Sequence, residues 1–204
     1  YVERYRPELV SALTPAPSPM VAHASLIKER LGRTARVVFI GPCVAKKAEA
    51  EREQFDGLVD CVLTFTELTE WLDSRGISLS RCEESDFDDR PSGDARFFPL
   101  VGGEARTGTS RSDLLDRTRL ATSGFEEFRE ALDGLSERRT PVVLEPLFCP
   151  VGCVNGPAMP SDVGVYERRE RVLRERLHGE LGYRPPIEIE MEYLQNQGLP
   201  RQAA

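Results

Sequence analysis

The chain has few of the features that mark several common protein classes. Only 7% of its 204 residues are aromatic, and it holds a single Trp and two His. No apolar run approaches the length of a membrane-spanning helix, which argues against a membrane protein. The 34 Asp and Glu outnumber the 27 Lys and Arg, giving a formal net charge of −7. This acidity argues against a nucleic-acid partner.

The N-terminus has neither an initiator Met nor a signal peptide. Because Tyr1–Tyr5 reads like the interior of a helix, we expect the chain to be part of a longer polypeptide. Its five cysteines are unevenly spaced. An odd set without secretion signals favours reduced thiols in the cytoplasm over a disulfide framework. We interpret Cys61 and Cys82 as structural, since an isolated cysteine often behaves as a small hydrophobic residue.

The first candidate site is the segment Gly41-Pro42-Cys43-Val44-Ala45-Lys46-Lys47, directly after the apolar run Val37–Ile40. The pattern predicts a strand that turns into a helix at Cys43. Unpaired N–H groups at a helix start, together with two lysines, favour thiolate over thiol. Thiolate is the form that binds metal, so the segment suits a metal ligand. An ordinary cysteine in a strand-to-helix turn is the alternative.

The second candidate site is Cys149-Pro150-Val151-Gly152-Cys153, directly after the apolar run Val142–Leu144. Zinc knuckles usually separate their cysteines by two or four residues and need four ligands. Here the separation is three, and we interpret His23 and His178 as surface or packing residues. Gly152 and Gly156 would let the backbone approach a bulky inorganic group. The loop is therefore a candidate metal or iron–sulfur site, with a purely structural turn as the alternative.

Alternating strands and helices predict an α/β fold of two lobes, with mixed or parallel sheets flanked by helices. The cysteine loops are expected to meet in a cleft between the lobes, shielded from water. Strands are predicted at 36–40, 59–65, 141–147 and 187–193. Helices are predicted at 1–13 with a break at Pro7, 20–31, 43–52, 66–72 capped by Thr66, 123–132 with a capping box of Ser123 and Glu126, and 163–181.

Residues 80–113 are predicted to form a long polar loop around the short apolar piece 97–101. No convincing helix follows Gly102-Gly103, and the phosphate-loop spacing is absent, so phosphate binding is not expected. The acidic run 86–89 is interpreted as a solvated loop. Ser110–Asp113 has no recognisable His partner, which argues against a hydrolase triad.

Taken together, these segments resemble the C-terminal, H-cluster-binding domain of iron-only hydrogenases over most of the chain. The two specific matches are Gly41–Ala50, which resembles the family's second cysteine motif, and Cys149–Pro157, which resembles its final motif. Weaker matches lie at Tyr1–Pro7, Ser18–Met20 with Lys28, Asp60–Leu68 and Gly102-Gly103. The resemblance implies a partial domain over residues 1–197, with lobes near 20–80 and 95–160, and a tail or linker at 198–204.

The resemblance also implies the cofactor and its ligands. Cys43 and Cys149 would ligate a 4Fe-4S cluster, and Cys153 would bridge it to a two-iron subsite, completing an H-cluster. Lys46 would donate a hydrogen bond to an iron-bound cyanide, and Gly41 and Pro42 would lie beside the cofactor. Lys46 and Cys153 would thus be the catalytic residues of an active member.

Departures from the family pattern affect turnover more than cluster binding. The family's first cysteine motif, which supplies one cluster ligand, is absent. Gly41 stands where active enzymes carry a bulky Met, and Val151 replaces the first Gly of the usual Gly-Gly-Cys. Thr14 falls at the family's proton-path serine. This pattern resembles a divergent, sensory branch whose members join PAS, kinase or phosphatase domains.

Three functions follow as alternatives. The first is an iron–sulfur domain that senses hydrogen or redox state within a signalling protein. The second is a hydrogenase that interconverts H2 with protons, served by a redox partner such as ferredoxin or an attached Fe–S domain. The third is a zinc-binding or metal-free interaction scaffold.

Overall fold

The computed structural model describes residues 1–83, 85, 93–108, 118–135, 138–160 and 162–180. The chain divides into two compact units, Tyr1–Arg75 and Gly76–Ala204. The predicted strand 187–193, the tail 198–204, the acidic run 86–89 and the segment 110–113 lie outside the described residues, as does the side chain of His178. The predicted lobe boundaries stay predictions. Within the described ranges, no helix is long and apolar enough to cross a bilayer.

The first unit contains two strands and four α-helices. They are α1 (Val2–Tyr5), α2 (Pro19–Leu31), β1 (Val38–Gly41), α3 (Ala45–Ala50), β2 (Cys61–Thr64) and α4 (Phe65–Ser74). The predicted helix 1–13 is instead α1 followed by a 3₁₀ helix, Pro7–Ala12. Pro7 divides them because it has no N–H to continue an α-helix, yet suits a first helical position.

The two strands of the first unit pair in parallel, with Val38 opposite Cys61 and Gly41 opposite Thr64. One face of this sheet packs against α2, whose N-cap is Ser18. The buried core is made of Met20, Val21, Ala24, Val37 and Val59. Asp60 accepts hydrogen bonds from Lys28 Nζ at 3.0 Å and from the Val37 N–H at 2.8 Å, which joins α2 to both strands.

The N-cap of helix α4 lies two residues earlier than predicted, and the predicted Thr66 cap is wrong. Thr64 is the N-cap: its hydroxyl accepts from the Glu67 N–H, and the Glu67 carboxylate accepts from the Thr64 N–H at 2.8 Å. This reciprocal pair satisfies two N–H groups that would otherwise lack partners at the helix start. Thr64 caps the helix, rather than Thr66, because Thr64 is the last residue of β2 and already has the extended backbone that an N-cap requires.

The second unit repeats the parallel arrangement. Its elements are α5 (Gly103–Gly108), β3 (Arg119–Ser123), α6 (Phe125–Leu135), β4 (Val143–Leu147) and α7 (Val165–Glu180). Strands β3 and β4 are parallel, with Arg119 opposite Val143 and Ser123 opposite Leu147. Phe97, Leu100 and Val154 form a buried cluster beside α7.

Three expectations for the second unit are corrected. Strand β3 was not predicted, because residues 119–123 lack an apolar run. Helix α5 follows Gly102-Gly103, where no helix was expected. Glu127, not Glu126, accepts a hydrogen bond from the Ser123 N–H at 2.8 Å. The predicted α/β class with parallel sheets and flanking helices is confirmed.

Candidate metal centre

Cys43 lies in the first unit, two residues beyond the end of β1. Gly41 is the buried last residue of the strand, and Cys43 is partly buried. The Cys43 carbonyl accepts from the Lys46 N–H at 3.3 Å as the chain enters α3. The predicted strand–turn–helix is therefore present, although α3 starts at Ala45 and ends at Ala50, within the predicted 43–52.

Lys46, the predicted hydrogen-bond donor, is paired within its own helix. Its Nζ lies 2.6 Å from Oε2 of Glu49, and 26% and 20% of the two side chains are exposed. Burial raises the pKa of Glu49, but hydrogen bonding and the positive charges of Lys46 and Arg52 together outweigh it, so the pKa lies below its usual value. The Glu49 carboxylate beside Lys46 therefore stays ionised at neutral pH. Lys47 forms a separate pair with Glu67.

The backbone of Gly41 is in contact with the ring of Phe39. A Cβ placed on Gly41 would lie 2.9 Å from Cε1 and 3.1 Å from Cζ of Phe39. Any larger residue would have to displace this ring, because real Cβ contacts are not that short. The Phe39 ring thus occupies the space that a larger side chain at position 41 would need.

Cys149 and Cys153 lie together in one loop of the second unit, directly after β4. Both are partly buried. The Gly152 N–H donates to the Cys149 carbonyl at 3.0 Å, and a 3₁₀ helix begins at Cys153 and ends at Asn155. These contacts fold the three intervening residues into a tight turn, so the structure places both predicted thiols in one small region.

The turn between the two thiols has an unusual backbone. Val151 has φ 67° and Gly152 has φ 95°. Among the described residues, Val151 is the one non-glycine with positive φ, a conformation that β-branched residues avoid. A Cβ on Gly152 would lie 2.6 Å from the Pro99 carbonyl oxygen. Gly152 is therefore required both by its dihedral angle and by the closeness of residue 99.

Neighbouring segments hold this turn through its peptide N–H groups. The Val151 N–H donates to Oγ of Ser123 at 3.4 Å, and the Val154 N–H donates to the Pro99 carbonyl at 3.4 Å. The N–H groups of Val151 and Val154 thus fix the loop to the rest of the unit.

Two residues that matter to this loop were missed by sequence reasoning. Glu145 is buried on β4 and accepts from the N–H groups of Glu104 at 3.2 Å and Ala105 at 2.6 Å. It thereby joins the start of α5 to the strand that leads to Cys149. An acidic residue inside the apolar run 142–147 is a signal that could have found it. The second residue is Arg168 on α7, which donates a hydrogen bond to the Val154 carbonyl, directly after Cys153. No pattern in the sequence around Arg168 indicates this contact.

The candidate ligands are cysteine sulfur atoms, which is the type of ligand that holds an iron–sulfur cluster. Cys43, Cys149 and Cys153 are partly buried thiols at strand ends, whereas Cys61 and Cys82 are exposed. Within either unit, no cluster of three or more Cys, His, Asp or Glu that could hold a metal occurs among the described residues. A cysteine-held cubane takes four thiolates. The three partly buried cysteines could thus supply only part of such a set.

Each unit pairs two parallel strands and carries one of the candidate thiol sites in a turn after a strand. The model of the family "Iron only hydrogenase large subunit, C-terminal domain" matches residues 1–157. The chain belongs to this family. Helix α7 lies beyond the matched residues.

Curated relatives include hydrogenases and cluster-assembly proteins. The chain is 30% identical over 150 residues to iron hydrogenase 1 of Clostridium pasteurianum, covering 66% of this chain and 26% of that protein. It is 25% identical over 222 residues to the NADP-reducing hydrogenase subunit HndD of Solidesulfovibrio fructosivorans, covering 85% and 38%. It is 35% identical over 79 residues to the cytosolic Fe-S cluster assembly factor NAR1 of Kluyveromyces lactis, covering 39% and 17%. The chain therefore spans well under half the length of these relatives.

Solved structures agree on the fold. A structure from a study of oxygen inactivation of an FeFe hydrogenase has a TM-score of 0.63 at 22% identity, covering 84% of this chain and 61% of that one. An apo FeFe hydrogenase variant from Chlamydomonas reinhardtii has a TM-score of 0.61 at 20% identity, covering 84% and 62%. At these identities the likeness concerns the fold, which is that of the FeFe hydrogenase H-cluster domain.

Proposed function

We propose that this chain is the cluster-binding part of a hydrogenase-like iron–sulfur protein that senses hydrogen or redox state in the cytoplasm. The observation that carries the proposal is the division of the five cysteines by exposure. The three at the predicted site are partly buried, and the other two are exposed. Cluster ligands need such shielding, because the surroundings of a metal site control solvent access and potential.

Cys43, Cys149 and Cys153 would hold the 4Fe-4S cluster, with Cys153 also bridging to a two-iron subsite. When bound, the cluster supplies one-electron redox chemistry. The fourth thiolate would come from a segment or partner outside these three residues. Lys46 would present its ammonium group as a compact hydrogen-bond donor. The Glu49 carboxylate, 2.6 Å away, would orient that donor.

Two residues favour sensing over rapid turnover. Gly41 stands where the family resemblance expects a bulky Met, and Phe39 occupies the space beside it. Val151 stands where the resemblance expects Gly and is held at φ 67°. Both changes would alter the immediate surroundings of the cofactor while leaving the thiol ligands in place.

Under this proposal the partners are H2 or protons, a redox partner such as ferredoxin or an attached Fe–S domain, and a PAS, kinase or phosphatase domain in the whole protein. The relative named as a cytosolic Fe-S cluster assembly factor supports the idea that this fold serves roles other than hydrogen turnover.

A catalytic hydrogenase is the second candidate. The names of the two hydrogenase relatives favour it, as does the presence of Lys46 at the position that the resemblance assigns to the cyanide donor. A zinc-binding or metal-free scaffold would require that the partly buried thiols never take up iron.

The test is anaerobic reconstitution of the full-length gene product that contains this chain. We expect about four iron and four sulfide per protein, a spectrum that changes under hydrogen, and little hydrogen evolution from reduced viologen dye. Fast evolution would establish the catalytic candidate instead. Zinc at about one per chain with tetrahedral thiolate ligation, or no metal at all, would overturn both in favour of the scaffold.

A further inference from the structure

Arg168 joins helix α7 to the cysteine loop. Its Nε donates to the Val163 carbonyl at 2.8 Å, and its Nη1 donates to the Val154 carbonyl at 2.9 Å. Val154 directly follows Cys153 and is buried. A single guanidinium therefore links the peptide after the second thiol to the turn that precedes α7. Hydrogen bonds from a charged donor are among the stronger ones in proteins.

Apolar packing reinforces this link. Three partly buried residues of α7 pack against the buried cluster of Phe97, Leu100 and Val154; they are Val165, Val172 and Leu173. Val154 thus contacts α7 through its side chain and through its carbonyl. Burial of this kind favours movement of the helix and the residue as one body, since packed interiors transmit displacement.

The peptide groups on both sides of Val154 are fixed. Its N–H donates to the Pro99 carbonyl, and its carbonyl accepts from Arg168. The turn just before Cys153 holds Val151 and Gly152 at positive φ, so it needs support from its surroundings. Arg168 supplies part of that support. The direction of the Cys153 side chain follows from the backbone that these contacts hold.

We propose that Arg168 is a positioning residue that holds Cys153 in its ligating orientation and couples the loop to α7. The inference rests on the proposed function and deepens it: α7 is the element through which a change at the metal site would reach the rest of the protein. Coupling is reciprocal: if α7 orders the loop, ligation of Cys153 stabilises α7 by the same factor. Arg168 lies outside the segment matched by the family model, residues 1–157.

The first test needs no iron. Arg168→Gln removes the positive charge and the Nη1 donor to the Val154 carbonyl, and we expect the Cys153 thiol to react with a disulfide reagent about tenfold faster, with faster amide exchange at residues 154–156. Arg168→Lys should restore part of the protection because it retains a charged donor. Arg171→Gln is the matched control, since Arg171 is exposed and its ion pair is with Glu167.

Cys43, in the other unit, is the internal reference for reagent reactivity. A Cys153 rate in R168Q equal to that of the R171Q control would overturn the inference. Circular dichroism checks that R168Q folds. If it does not fold, R168K decides the matter. One ammonium group cannot replace both guanidinium hydrogen bonds, so the Cys153 and amide rates of R168K should exceed those of R171Q, and rates equal to that control would overturn the inference.

The second test uses the reconstituted full-length product. Iron uptake should slow amide exchange in α7, and R168Q should abolish this difference while R171Q retains it. Iron uptake without any change in α7 exchange would overturn the coupling but leave the proposed function intact. Failure to bind iron would overturn the proposed function, while the iron-free thiol result would still decide whether Arg168 positions Cys153.

Discussion

Val151 keeps a backbone conformation for which its side chain is poorly suited. Its φ of 67° lies in the left-handed region, which costs an L-residue roughly 1–2 kcal/mol. The Ser123 hydroxyl and the close approach of residue 99 to Gly152 hold the turn in this shape. The strain is therefore located between the two candidate ligands Cys149 and Cys153.

Replacing Val151 with Gly should relieve this strain. We expect Val151→Gly to raise the free energy of unfolding by up to about 1 kcal/mol, because the relief exceeds the added chain entropy. Urea denaturation followed by circular dichroism measures it. The control is Val143→Gly on the exposed side of β4, which should instead lose about 1 kcal/mol. Equal losses in both variants would contradict the strain.

Helix α5 depends on a close approach that only glycine allows. A Cβ on Gly103 would lie 1.8 Å from the Phe97 carbonyl oxygen, so backbone would have to move. The same helix receives the Glu145 carboxylate at its start, and its Ala105 carbonyl accepts from Arg119 at 2.7 Å. The Gly-Gly pair is thus a packing requirement of the second unit, not a phosphate loop.

Two glycine substitutions test this requirement. Gly103→Ala should destabilise the protein by roughly 3 kcal/mol or more, since overpacking against backbone cannot relax cheaply. Gly134→Ala in α6 meets nothing within 4 Å and should stabilise by up to about 1 kcal/mol through helix propensity. Thermal unfolding of both variants gives the comparison. A G103A protein as stable as G134A would refute the close contact.

The capping box of α4 gives the fold a dependence on pH. Hydrogen bonds from Lys47 and from the Thr64 backbone and hydroxyl lower the pKa of Glu67 from 4.5 to about 2. Because the folded pKa lies below the unfolded one, ionised Glu67 stabilises the fold above about pH 4.5. That contribution is lost as the pH falls through about 2.

Glu67→Gln should therefore lower stability at neutral pH, and the deficit should shrink on acidification between about pH 4.5 and 2. Denaturation midpoints measured across this range test the prediction. Glu70→Gln, at an exposed position of the same helix, is the control. A deficit that stays constant with pH would show that the carboxylate charge is not the cause.

At the scale of the whole molecule, the proposal makes three of the five cysteines cluster ligands and leaves the other two outside the cluster. Each of the substitutions Cys43→Ser, Cys149→Ser and Cys153→Ser should greatly reduce the iron retained by the reconstituted full-length product. The reason is that cluster iron is held by thiolates, and Ser has none. Replacing Cys61 or Cys82 should leave iron content unchanged, since both are exposed and lie outside the set. Iron and sulfide assays measure this. Loss of iron in C61S or C82S would revise the ligand assignment.

Three of the described strands could be predicted from the sequence, whereas β3 and the cap of α4 could not. Strands β1, β2 and β4 were predicted because each is an apolar run. Strand β3 was not, because residues 119–123 contain no continuous apolar run, and the strand is recognised by its pairing with β4. The cap of α4 was misplaced by two residues for a similar reason: Thr64 and Thr66 both suit a cap, and the end of β2 decides between them.

The sequence by itself determined the α/β class and the thiols in Gly/Pro turns, since these follow from local runs and short spacings, and its cysteine motifs carry the resemblance to the family. The tertiary structure alone decided that Glu145 holds the start of α5 and that Arg168 reaches Val154. The physical reason is that each of these contacts is a hydrogen bond between a side chain and the backbone of a separate element. Local propensity carries no information about such partners.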